Sequence, residues 1–150
     1  MDKKMREYLY ACFTKLIDEY GFSRVGEIND RQAYEIEFRS SVFVIRLEKY
    51  HREFYPILYK TDDPDNEIDL FNLLSFLNKD FTEFKYERRE FHSNDALEEY
   101  YEKQCNRIST TLYKHFAVIC QFFNSRDYQS KVAEMTKFML DKYPELFKRS

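Results

Sequence analysis

The sequence predicts an α+β domain: an N-terminal helix, an antiparallel β-meander of about four strands, then a helix and two long C-terminal helices packed on the sheet. Three observations lead to this reading. Helical 3-4 spacing of apolar residues opens and closes the chain, and period-2 alternation fills the stretch between them. The connections between the alternating runs are too short for crossover helices, so consecutive strands must run antiparallel. Strands segregated from helices in this order indicate α+β rather than α/β. A chain of 150 residues fits one domain spanning 1–150, and at that size folding buries roughly 68–70% of the unfolded surface.

Met5, Tyr8, Leu9, Cys12, Phe13, Leu16, Ile17 and Tyr20 line one face of a helix over 2–20, and Gly21 stands where a left-handed residue ends it. A first strand is expected at 22–28, kinked at Gly26, followed by Asn29-Asp30-Arg31 as turn chemistry. Tyr34, Ile36 and Phe38 alternate with Glu35, Glu37 and Arg39 in a second strand. After Ser40-Ser41, a third strand points Phe43, Ile45 and Leu47 to the core and Val42 and Val44 to the other face. The fourth, over 53–60, contains Pro56, which cannot donate to a ladder and so predicts a sheet edge.

An acidic loop is expected over 61–67, then a helix over about 67–79 built on Leu70, Phe71, Leu74 and Leu77, with Leu73 and Phe76 as a second apolar edge. Residues 80–92 suit a helix or a fifth strand equally. Asp95 and Glu98 have capping-box spacing ahead of one helix of some 28 residues, striped by Leu97, Tyr101, Ile108, Leu112, Phe116, Ile119, Cys120 and Phe123. The break at 124–127 precedes a last helix carrying Tyr128, Val132, Met135 and Met139.

Composition removes several function classes. With 2 glycines the chain holds no glycine-rich phosphate loop, and neither a nucleophile elbow nor an S-x-x-K pair occurs. His51, His92 and His115 have no partner at metal-ligand spacing, so neither a metal nor another cofactor is expected. A net charge of −3 disfavours general binding to nucleic acid and leaves room for a basic protein partner. Cys12, Cys105 and Cys120 are odd in number and scattered, which suits unpaired core thiols. No run of 18 apolar residues spans a membrane, and the charged start, Met1 to Arg6, lacks the apolar segment of a signal peptide; both favour the cytoplasm.

Two stretches stand out as candidate partner-binding surfaces. In the first, Tyr50, His51, Arg52 and Phe54 crowd aromatic and cationic groups around a turn held by a sheet. The second holds five acids in eight residues, among them Asp62, Asp63, Asp65 and Glu67. It lacks the glycine of a calcium loop, and it reads either as charge favouring the following helix N-terminus or as a patch receiving a basic partner.

The order of parts also resembles a group of small bacterial α+β proteins, some encoded beside secreted toxins as immunity proteins. The residues that carry the likeness are Tyr20-Gly21-Phe22, the strand-turn-strand of 34–45, Asp69 to Leu74 opening a helix, and Phe122-Phe123 ahead of Asp127-Tyr128. The sequence departs from that pattern at Tyr50-His51-Arg52, and no functional residue is carried over. The resemblance implies a non-enzymatic inhibitor that occludes a partner. A homodimeric scaffold is the alternative, and a hydrolase or small-molecule binder with a site built from scattered Tyr, Glu and His comes third.

Overall fold

A computed structural model describes residues 1–31, 33–78, 80–81 and 93–147. Helix α1 (Lys3–Tyr20) starts at Asp2, whose carboxylate accepts the Met5 N–H at 2.8 Å. It ends at Gly21 with φ 73, the left-handed geometry that a residue without Cβ adopts at little cost. Five strands follow: β1 (Ser23–Asn29), β2 (Ala33–Arg39), β3 (Phe43–Tyr50), β4 (Glu53–Lys60) and β5 (Asp63–Asp69). All neighbours are antiparallel and lie in sequence order. A bulge between Arg24 and Gly26 produces the irregularity expected in β1.

The strand count among the described residues is therefore five, where about four were expected. Asp, Asn and Pro are poor strand formers, so 61–67 reads as a loop. Tertiary contacts override that preference. Ile68 is buried against the core, and the Tyr128 hydroxyl donates to Asp63 at 2.9 Å, fastening the strand at both ends. Pro56 consequently sits in an interior strand, but β5 pairs with β4 only from Asp69 at Ile57 onward. Next to Pro56 the sheet has no fifth strand, so the proline marks a local edge.

Helices α2 (Leu70–Leu77), α3 (Asn94–Lys114), α4 (Phe116–Asn124) and α5 (Tyr128–Lys142) complete the fold, with a short 3-10 turn at Pro144–Phe147. The single helix expected over about 95–123 is broken at His115, whose φ −108 and ψ 14 leave the helical region. Neither glycine nor proline marks the break. It lets two stripes reach the core, Cys105, Ile108 and Leu112 from α3 and Ile119, Phe122 and Phe123 from α4. Ser93, not Asp95, caps α3: its hydroxyl accepts the Ala96 N–H at 3.2 Å. Of the ambiguous stretch 80–92, only Asp80 and Phe81 are described; the helix-or-strand choice for the rest, and the expectation for His92, lie outside the described residues.

The helices supply their buried side chains to one core on one sheet face. Tyr34, Ile36, Phe38, Phe43, Ile45, Leu47, Phe54 and Leu58 meet Leu9, Phe13 and Leu16 of α1 there. Phe43 is a centre of ring packing, with Phe22 at 5.2 Å edge-on and Phe123 stacked at 5.1 Å. All three cysteines are free; Cys105 is buried and Cys12 and Cys120 are half-buried. No helix among the described residues is long and apolar enough to cross a membrane.

Polar contacts tie the edge strand β1 to α1. The Glu27 carboxylate accepts from Arg6 Nη2 at 2.6 Å, from the Tyr34 hydroxyl at 2.6 Å and from the Tyr10 hydroxyl. Burial by itself would raise the Glu27 pKa, but these three donors outweigh it and bring it down to about 2. Burial and the same carboxylate push the Tyr34 phenol well above its ordinary range.

Candidate functional site

Strands β3 and β4 join through a two-residue turn, His51-Arg52, with Tyr50 and Glu53 as the closing pair. His51 has φ 55, the sole described non-glycine residue on that side of the map. A positive φ at the first turn residue alone is the type II′ pattern, which glycine ordinarily fills. The tip is fixed from both flanks. Lys49 Nζ donates to the His51 carbonyl at 3.0 Å, and the Tyr50 and His51 rings lie 4.1 Å apart, edge to face. On the other flank the Gln104 side chain, fully buried on α3, accepts the Phe54 N–H at 2.9 Å and donates to the Arg52 carbonyl at 2.8 Å.

What the tip displays is aromatic and charged. Tyr50 is 61% exposed and Tyr55 38%, and both lie on the sheet face opposite the core, diagonal to each other across the β3–β4 pair. Tyr50, His51, Arg52, Glu53, Tyr55 and Tyr101 line one open depression. Burial raises the Tyr101 phenol above its ordinary range and lowers the Lys49 ammonium below its own; Lys49 lies 5.0 Å over the Tyr101 ring.

Of the first predicted cluster, Tyr50, His51 and Arg52 are exposed together at this tip. Phe54 is not: it is buried beneath the turn with Tyr101 edge-on at 5.8 Å, because strand alternation turns it to the core face. The acidic cluster is dispersed for the same reason. Asp62 is exposed and pairs with Lys60 at 2.6 Å, Asp63 is taken up by Tyr128 and Asn66, and Asp65 is exposed. Glu67 lies on the outer sheet face, bonded to Arg46 at 2.7 Å. The turn beyond Lys60 and the turn before Glu53 are separated by the eight residues of β4, about 26 Å of strand. The two predicted clusters therefore form no single site.

The residues between them supply an acidic face that the sequence reading missed. Arg46 is surrounded by four carboxylates: Glu35 at 3.0 Å, Glu37 at 3.9 Å, Glu48 at 2.7 Å and Glu67 at 2.7 Å. Burial alone would lower the Arg46 pKa, but these acids raise it. Glu35 moves upward as well, chiefly through its own burial, although it faces the same guanidinium. The two directions agree once the cation is seen to be shared: one positive charge offsets one of four, and the partly desolvated Glu35 feels the remaining acids. Alternation of Glu35 and Glu37 with buried residues was legible; their convergence with Glu48 on Arg46 required the strand register.

Gln104 and Tyr101 were also not singled out as site residues. Gln104 falls inside the apolar stripe between Tyr101 and Ile108, and a polar residue at a core position was the signal available for it. His115 packs edge-on against Phe81 at 5.8 Å, away from the tip. Among the described residues no group of three or more His, Cys, Asp and Glu is placed to hold a metal ion. No family model, curated protein or solved structure matches the chain.

Proposed function

We propose that the chain is a non-enzymatic protein-binding module, an inhibitor of immunity type that occludes a basic partner with the β3–β4 tip and the acidic face beside it. The observation that carries this reading is His51 at φ 55. Glycine would relieve the turn, yet a histidine stands there between the exposed Tyr50 and Arg52, braced by Lys49 and Gln104. Strain held in place by surrounding structure, at a tip that displays Tyr and Arg, supports a contact role. A tip fixed in advance loses little freedom on association. The carboxylates around Arg46 would steer a cationic surface toward it.

The test is calorimetric titration of the chain with the product of the adjacent gene. The reading expects a complex that weakens at least about tenfold in Tyr50→Ala and in Arg52→Ala. Absence of a complex, or one indifferent to both changes, would count against it. Light scattering on the chain alone addresses the homodimeric alternative, which requires a dimer without any partner.

A further inference from the structure

A second surface is formed by the outer edge of β5 and helix α5. The groove between them is lined by Asn66, Glu67, Ile68 and Asp69 on one wall and by Val132, Met135, Thr136 and Met139 on the other, with Asn72 at one end. Neighbouring residues of a strand point to opposite faces, so a groove touched by four in succession sees the strand side-on. Among the described residues β5 is the last strand of the sheet, and that side carries its outward N–H and C=O groups. The facing residues stand at i, i+3, i+4 and i+7, a single stripe of α5. An open strand edge opposite an apolar helical stripe is the geometry of recognition by strand addition.

We propose that this groove binds an extended, basic peptide segment as a sixth strand. Four residues of β5 span about 13 Å, room for about four residues of ligand. Alternate side chains of such a ligand would lie over the half-buried Val132 and Met139, above the buried Ile68 and Met135, and unbranched methionine adapts to varied apolar shapes. Charge selects the partner. Glu67 shares Arg46 with three other carboxylates and Asp69 caps α2 through the Asn72 N–H, so this flank stays net acidic; exposed Asp65 lies two residues along the strand, and neither lysine nor arginine is among the lining residues. The groove shares Glu67 with the acidic face around Arg46 but no lining residue with the Tyr50–Arg52 depression, so this inference does not depend on the hairpin tip.

The experiment adds three capped decapeptides to the 15N-labelled chain: alternating lysine and valine, alternating glutamate and valine, and the lysine peptide with methylated backbone nitrogens. The expected result is amide shifts at 66–69 and 132–139, slowed hydrogen exchange in β5 with the lysine peptide, and little effect from the other two. Thr136→Arg, at an exposed position on α5, should weaken the lysine peptide about tenfold while leaving the spectrum folded. Shifts centred elsewhere, no shifts at millimolar peptide, equal binding of the glutamate or methylated peptide, or an unaffected Thr136→Arg would each overturn the proposal.

Discussion

The Gln104 side-chain amide stands in for a neighbouring strand at Phe54. Its oxygen takes the Phe54 N–H at 2.9 Å and its nitrogen reaches the Arg52 carbonyl at 2.8 Å, so one helix residue closes both ends of the turn exit. β5 does not extend this far along β4, and α3 supplies the missing partner. Replacing Gln104 with Leu keeps the volume roughly constant and leaves the buried Phe54 N–H unpaired. A loss of about 2–3 kcal/mol is expected in urea unfolding, with unchanged m-value.

His51→Gly should act in the opposite direction. Glycine adopts φ 55 freely, so relief of the turn should stabilise the chain by about 1 kcal/mol despite the greater entropy of an unfolded glycine. The same variant should bind the partner of the tip less well, giving a stability gain with a functional loss. Thermal unfolding and titration calorimetry on the one variant measure both.

Acid should loosen the junction of α1 and β1. Glu27 has a folded pKa of about 2 against an ordinary 4.5, so its contribution is fully present above the higher value and is lost as pH falls toward the lower one. Between pH 4.5 and pH 2, stability should therefore decline, and Glu27→Gln should flatten that part of the profile. Stability measured by denaturant across this window, wild type against variant, checks the sign.

Arg46→Met removes the cation from among four carboxylates. The Arg46 side chain is 13% exposed, so an expected cost of about 2–4 kcal/mol at neutral pH reflects acids left facing one another. The cost should shrink as pH falls through the carboxylate range and the glutamates take up protons. A deficit that does not change with pH would show that packing, not charge, dominates at this position.

Which features could be read from the sequence follows the reach of the forces involved. α1, with its stripe from Met5 to Tyr20 and its end at Gly21, is specified by neighbours a few residues apart and was legible. β2 was legible from the alternation of Tyr34, Ile36 and Phe38 with charged residues. β5 was not, because what holds it is Ile68 in the core and Tyr128 on a helix some sixty residues later. The break at His115 was hidden for a related reason: packing of Phe116 against Tyr20 and Phe22 bends a stretch whose own residues would continue the helix. The tip residues Tyr50, His51 and Arg52 were found from composition, whereas Phe54 was misplaced because strand parity settles which face it takes.

Hydrogen exchange at the Phe54 amide tests most directly whether the tip is held in shape before any partner arrives. The amide lies two residues from an exposed turn, where unassisted fraying would give rapid exchange. The Gln104 clamp predicts protection approaching that of the central strand amides of β3, and its collapse in Gln104→Leu. Exchange in the wild type as fast as that of exposed turn amides would contradict a preformed contact surface.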